Sequence, residues 1–186
     1  MTAVALKSTQ PARRTATPPD IGQLFARHGA DVLRVVYAAT GRHDVADDIV
    51  QEVFIFAHQH REELVDTPRI RFWLNRVAMN KVRHYWRSRS RYRDVMERFK
   101  RDVPRFGSAT PEQDLSRREH AMLIQKGILA IPETFREVFV LFEQQGFSGA
   151  QIAEMLDISV NTVWTRLHRA RAAFRAHMRE SIEEKP

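Results

Sequence analysis

Cysteine is absent from this chain of 186 residues, so neither a disulfide nor a thiolate metal site can hold it together. Its stability must come from burial. Glycine and proline are sparse, at 7 and 8 residues, and no stretch sustains strict alternation of apolar and polar residues, which leaves helix as the expected state almost throughout. Long apolar runs are missing too: none approaches the ~18 residues needed to span a bilayer, and the N-terminus lacks the apolar core of a secretory signal. A soluble, cytoplasmic chain without membrane insertion is expected. Signatures of catalysis are equally scarce, with no phosphate-cradling glycine loop, no H-E-x-x-H and no paired Ser/His/Asp spacing. His58 and His60 fall on nearly opposite faces of a helix, a poor geometry for one metal. No enzyme activity, cofactor or small-molecule substrate is expected.

Charge of one sign is also missing, in alternate places. The formal net charge is +7 and the pI ≈ 10.3, a bias that favours nucleic acid or an anionic surface. From Thr67 to Arg93 there is no acid, while Arg69, Arg71, Arg76, Lys81, Arg83, Arg87, Arg89, Arg91 and Arg93 supply positive charge. Phe72, Trp73, Tyr85, Trp86 and Tyr92 interleave with them, as aromatics that stack unpaired bases do. Trp73 lies on the apolar stripe and is assigned to the core. Between His43 and Asp66 the balance reverses: Asp44, Asp47, Asp48, Glu52, Glu62, Glu63 and Asp66 stand against Arg61 alone. In so basic a chain this patch should face a protein. Phe54, falling off the apolar stripe beside Asp48, Gln51 and Glu52, is expected to be exposed there, since aromatics are enriched at interface cores.

The most informative stretch is Phe147 to Phe174. Ser148 and Gln151 have the spacing of a capping box, which starts a helix at Gly149. That helix buries Ile152, Ala153, Met155 and Leu156 and stops at Asp157-Ile158-Ser159, a link short enough to force a sharp turn, after which Ser159 caps a second helix. Val163, Leu167, Ala170 and Phe174 recur on its apolar face. At ~100° per residue, Asn161, Thr165, His168 and Arg169 point the opposite way. This is a helix-turn-helix whose outer face suits a major groove: Asn and Arg pair with base edges, Thr touches a thymine methyl, and Arg166, Arg171 and Arg175 can hold phosphates. A helical hairpin with a solvated basic face is the plain alternative.

The remaining segments are punctuated clearly. Residues 1–19 lack periodicity and read as a disordered tail. Asp20 opens a helix to about Thr40, with Ile21, Leu24, Phe25, Val32, Leu33, Val36 and Tyr37 inward and Gly41 at its end. Asp44 is expected to cap the next helix, with Asp47 at its third position and Val45, Ile49, Val53 and Phe56 inward. Thr67-Pro68 starts a third helix, carrying Ile70, Trp73, Leu74, Val77, Ala78, Val82 and Tyr85 to a core. Periodicity fails from about Asp94 to Asp114, which reads as a linker. Helix resumes near Leu115 through Met122, Leu123 and Leu129, and Pro132 starts another at its first position, with Phe135, Val138, Phe139 and Phe142 inward and Gly146 ending it. The expected fold is all-α: two small helical domains joined by a flexible linker, at 20–94 and 115–179, with a short tail at 180–186.

In this order the segments resemble the extracytoplasmic-function (ECF) sigma factors, the two-domain promoter-specificity subunits of bacterial RNA polymerase. The resemblance rests on Asp44-Val-Ala-Asp-Asp-Ile-Val-Gln-Glu-Val-Phe54, Phe72-Trp-Leu-Asn-Arg-Val-Ala-Met-Asn80, Ile131-Pro-Glu-Thr-Phe-Arg-Glu-Val-Phe139, Gly146-Phe-Ser-Gly-Ala-Gln-Ile-Ala153 and Val160-Asn-Thr-Val-Trp-Thr-Arg-Leu-His-Arg-Ala-Arg171. It implies that Asp47, Asp48, Gln51, Glu52 and Phe54 dock on the β′ clamp helices of core polymerase. The loop at 64–68, through Leu64 and Thr67, with Asn80 would take a flipped base of the minus-ten element, and Lys81, Arg83, His84 and Arg87 would track neighbouring DNA. Ser159, Asn161, Thr162, Trp164, Thr165, Arg166, His168, Arg169 and Arg171 would engage the minus-thirty-five element. The linker at 98–111 would thread towards the RNA exit path, against the β subunit, and an anti-sigma factor would be a partner. Two departures stand out: Leu64-Val-Asp-Thr-Pro68 replaces a Phe-Arg-Gly-type segment, and Trp164 is unusual. A stand-alone helix-turn-helix regulator would need a dimer for two half-sites, and a nuclease would need carboxylates clustered near the basic helix.

Overall fold

The computed structural model describes residues 18–64, 69–96 and 111–183, with side chains placed for 18–64, 69–89 and 120–181. Among them are seven α-helices and no strand: α1 (Ile21–Thr40), α2 (His43–Gln59), α3 (Ile70–Met96), α4 (Pro111–Ala130), α5 (Glu133–Phe139), α6 (Gly149–Leu156) and α7 (Val160–Glu183). A π-helical turn, Val140–Gln144, continues α5. Helices α1, α2 and α3 pack on one another as a first module, and α4, α5 and α6 gather round α7 as a second.

Each module is built by helical stripes meeting. Val32, Val35 and Val36 of α1 face Ala46, Ile49 and Val53 of α2 and Leu74, Ala78 and Val82 of α3, all buried. Ile128, Ile131, Val138, Leu141, Ile152, Val163 and Leu167 fill the second module. Full burial of each such branched side chain contributes about 1.5–3 kcal/mol relative to exposure.

The ends are set largely where the local chemistry demands. The Asp20 carboxylate accepts the Gly22 N–H at 2.8 Å, and α1 closes at Gly41, in the left-handed region (φ 71°), whose N–H donates to Tyr37 O at 2.7 Å. Both halves of the capping box form: Gln151 N–H donates to Ser148 Oγ at 3.3 Å, and Ser148 N–H to Gln151 Oε1 at 2.9 Å. Ser159 Oγ accepts the Thr162 N–H at 3.0 Å, capping α7.

Several boundaries differ from expectation. Arg42, not Asp44, occupies the cap position of α2, and Asp44 sits two places inside it, ion-paired with the Arg42 side chain. An acid two residues into a helix still meets the positive end of the dipole, so the charge preference is kept while the cap bond is not. Pro132 stands at the cap rather than the first helical position of α5. Helix α3 runs to Met96 and α4 begins at Pro111, shortening the irregular stretch from both sides, and α7 extends to Glu183, past the point assigned to a tail. The residues expected to form the N-terminal tail up to Thr17, the Thr67-Pro68 start and the linker at 98–110 lie outside the described residues.

Three residues face otherwise than expected. Phe54 is 6% exposed and Phe25 52%, because α1 crosses α2 so that the Phe25 ring covers Phe54 edge-on at 5.0 Å between centroids. Leu64 is 4% exposed and belongs to the first module's core.

The two modules are packed together. Helix α1 lies against α4, α5 and the π-turn, and α3 lies against α6. At this junction is Arg136, buried, with no carboxylate in salt-bridge range among the described residues. Its Nε and Nη2 donate to Ile131 O at 3.1 and 2.8 Å, Nη2 to Leu129 O at 2.7 Å, and Nη1 crosses to Ala39 O at 2.9 Å. The guanidinium thereby closes the C-terminal ends of α4 and α1 at once, where carbonyls lack helical partners and the dipoles favour a cation.

Candidate nucleic-acid interface

Helix α7 presents the face that its sequence promised. Val163, Leu167 and Ala170 are buried, whereas Asn161, Thr165, His168 and Arg169 are exposed on the other side. Thr165 donates its hydroxyl to Asn161 O at 2.9 Å, leaving its oxygen lone pairs and methyl outward. The Arg169 guanidinium rests over the Phe135 ring at 5.7 Å from the centroid, which restrains a long side chain without using its donors. Ser159 and Thr162 are partly spent on each other, their hydroxyls 2.7 Å apart at the helix start. Arg171 is held by Glu143 at 2.7 Å, and Arg166 is half-buried towards α3.

Trp164 has a split role. It is 47% exposed, yet its ring packs edge-on against Phe142 with centroids 5.7 Å apart and lies over Gly149, where an added Cβ would come within 2.7 Å of it. It thus fastens α7 to the start of α6 while leaving one edge to solvent.

On α3 the residues expected to meet DNA, Asn80 at a flipped base and Lys81, Arg83, His84 and Arg87 along the strand, separate into three groups. Asn80, His84 and Arg87 are exposed. Lys81 pairs with Glu52 of α2 at 2.6 Å. Arg83 is drawn to the second module, its Nε donating to Glu137 Oε2 at 2.9 Å and its Nη2 to Leu156 O at 3.1 Å. Burial pushes the Glu137 carboxyl above the usual range, while the Arg83 and Arg166 charges pull it back. Leu64, buried, serves the core instead of a base pocket, and Thr67 is outside the described residues. Of the aromatics, Phe72 is buried and Trp73 half-buried on Phe56. Trp86 is half-buried, its ring 5.8 Å from the guanidinium carbon of Arg136.

Helix α2 carries the acidic face outward. Asp44, Asp47, Asp48, Gln51 and Glu52 are all exposed, as are Glu62 and Glu63 beyond it. The apolar member of this surface is not Phe54 but Ile55, 57% exposed, joined by Phe25. The signal was present in the sequence: at ~100° per residue Ile55 falls amid Asp44, Asp48, Gln51 and Glu52, and Phe54 falls at the edge of the buried stripe. Among the described residues no three His, Asp or Glu side chains gather as metal ligands, and no helix is long and apolar enough to cross a membrane.

Known proteins match this chain along both modules. The family models for Sigma-70 region 2 and Sigma-70, region 4 match residues 24–92 and 121–174. The ECF RNA polymerase sigma factor SigL of Mycobacterium tuberculosis is 35% identical over 162 residues, 84% of this chain and 88% of that one. Among solved structures, the sigma factor RpoE of Bartonella quintana, in complex with the anti-sigma factor NepR, shares the fold with a TM-score of 0.70 at 20% identity, over 86% of this chain and 97% of its own. CnrH, in complex with the cytosolic domain of CnrY, gives 0.59 at 29% identity over 84% and 85%.

Proposed function

Because this chain belongs to the ECF sigma factors of the sigma-70 family, we propose that its exposed faces divide promoter recognition among three surfaces. The first domain, at 20–94, grips core RNA polymerase with Asp47, Asp48, Gln51, Glu52 and Ile55 of α2, and reads the minus-ten element with Asn80, Lys81, His84 and Arg87 of α3. The second, at 115–179, lays α7 in the major groove of the minus-thirty-five element, Asn161, Thr165, His168 and Arg169 towards the bases. The observation that carries this reading is the sidedness of α7, a buried Val163-Leu167-Ala170 stripe opposite an exposed Asn161-Thr165-His168-Arg169 face. Melting of the minus-ten element, at a few kcal/mol per unstacked base, would then be offset by contacts that the polymerase holds in register. The chain acts in the cytoplasm as a dissociable specificity subunit without a catalytic step of its own. A protein inhibitor completes the reading, as CnrH was solved with the cytosolic domain of CnrY.

In vitro transcription with purified core polymerase and a pool of genomic fragments tests it. Promoter-dependent transcripts are expected only when this chain is added; their absence sinks the proposal. Two finer results are expected. Asp48→Lys should weaken binding to core polymerase by roughly tenfold while leaving the affinity of the isolated chain for minus-thirty-five duplex unchanged, read by titration of a labelled chain. Arg169→Ala should cost ~1–3 kcal/mol of discrimination at one position of the upstream element, as a bidentate contact to a base does. An unaltered preference across substituted promoters would remove Arg169 from readout.

A further inference from the structure

Among the large apolar side chains left exposed in the described residues, two stand one turn apart on α7: Val160, 41% exposed, and Trp164, 47%. At ~100° per residue they share a flank with Arg171, between Leu167 of the buried stripe and Asn161 of the outward face. The ridge is braced from two sides. Phe142 packs against the indole and also carries the Arg171 guanidinium over its ring, the guanidinium carbon 5.4 Å from the centroid. Glu143 fixes Arg171 in turn, accepting its Nε–H at 2.8 Å. Phe142 and Glu143 both come from the π-helical turn, where the wider winding lets Gln145 N–H donate to Val140 O. On the other side the indole lies on Gly149, where the missing Cβ leaves room for it. Packing on Phe142 and Gly149 accounts for half of the ring; the apolar edge beside the polar face is left over.

We propose that Val160 and Trp164 select thymine by its 5-methyl group at one step of the minus-thirty-five element, beside the base pairs met by Asn161, Thr165, His168 and Arg169. This rests on reading α7 as the minus-thirty-five helix, and adds to it a base and a means of choosing it. Between Asp157 and Glu180 the chain carries no acid, so the ridge is framed by cations and continuous with a face suited to a polyanion. The apolar group that base edges offer in a major groove is the thymine methyl, and in a helix-turn-helix the N-terminal turns of the second helix are the ones that reach those edges. Val160 and Trp164 lie in the first two turns of α7. The outward polar face chooses by hydrogen bonds; the ridge chooses by excluding water from a methyl. Phe142, half-buried, and Gly149, buried, are positioning residues that act through the indole.

Deoxyuridine provides the test, because it differs from thymidine by that methyl alone. Each thymidine in the upstream element of the promoter most active in the fragment pool is replaced in turn, on either strand, and binding of holoenzyme assembled with the full chain is titrated. One position should lose about fourfold in affinity, the effect of one methyl group withdrawn from water. With Trp164→Ala the same deoxyuridine should cost nothing measurable, and with Val160→Ala, a change at an exposed site, an intermediate amount. The ratio of the two affinities is taken within each variant, so impaired folding, which lowers both alike, leaves it unmoved. Gly149→Ala, which would place a Cβ 2.7 Å from the ring, should reduce the ratio as well and add nothing to Trp164→Ala. Equal affinity for thymidine and deoxyuridine at every position overturns the proposal, and so does a preference that persists undiminished in Trp164→Ala. If Trp164→Ala instead weakens assembly with core polymerase and leaves the thymidine preference intact, the ridge meets protein and the proposal falls. Failure of the underlying reading is recognisable separately: Arg169→Ala would then leave promoter preference unaltered, whereas failure of the ridge alone keeps the Arg169 effect while every deoxyuridine is tolerated.

Discussion

Replacement of Arg136 by alanine should reduce the free energy of unfolding by about 3–5 kcal/mol, a loss measurable by urea denaturation followed by helical circular dichroism. Two effects oppose each other at this site. Burial disfavours the charged guanidinium, and its pKa is accordingly held below the ordinary arginine value, with Glu133 pulling the other way. Removing the side chain relieves that desolvation. Against this, Leu129 O, Ile131 O and Ala39 O would all lose their donor, and a buried acceptor left unmade costs about 1–3 kcal/mol. Three such acceptors, at the negative ends of two helices, outweigh the relief. Arg136→Lys should recover only part of the loss, since one ammonium cannot reach four N–H···O contacts in the plane of a guanidinium. A loss below about 1 kcal/mol for Arg136→Ala would mean that water replaces the guanidinium at the junction.

What could be read from the chain beforehand divides along the range of the forces involved. Helix starts at Asp20 and Ser148, the end at Gly41 and the sidedness of α7 follow from contacts within a few residues, and each appears as anticipated. Phe54 and Leu64 failed because their burial is decided elsewhere: α1 crosses α2 and lays Phe25 over Phe54, and Leu64 folds back under the first module. Arg136 and Glu137 lay in plain sight within the apolar run from Phe135 to Phe142. Their being charged there was the one available signal. Periodicity assigns them to a helix and says nothing of a partner 97 residues away at Ala39 or 54 away at Arg83. The same limit hid the closure of the two modules, because it depends on tertiary pairing between segments that are each explicable alone.

Gly41→Ala should destabilise the protein by about 2–4 kcal/mol, and Gly146→Ala by about 1–2 kcal/mol, the difference measuring contact between the modules. Both glycines adopt positive φ, 71° and 67°, so both substitutions carry the left-handed penalty of a side chain, roughly 1–2 kcal/mol. Their surroundings differ. At Gly146 an added Cβ meets nothing within 4 Å, whereas at Gly41 it would lie 2.6 Å from a methyl of Leu129, on α4 of the second module. Leu129 must swing aside or α1 and α4 must part, and overpacking of this kind costs about 1–3 kcal/mol. A double-mutant cycle separates the two terms: with Leu129→Ala already in place, Gly41→Ala should cost no more than Gly146→Ala does, the excess appearing as coupling energy. Equal costs for the two glycines in the wild-type background, within about 0.5 kcal/mol, would place Leu129 out of reach of Gly41 in solution. That result would also remove one of the apolar contacts that hold the closed arrangement beside Arg136.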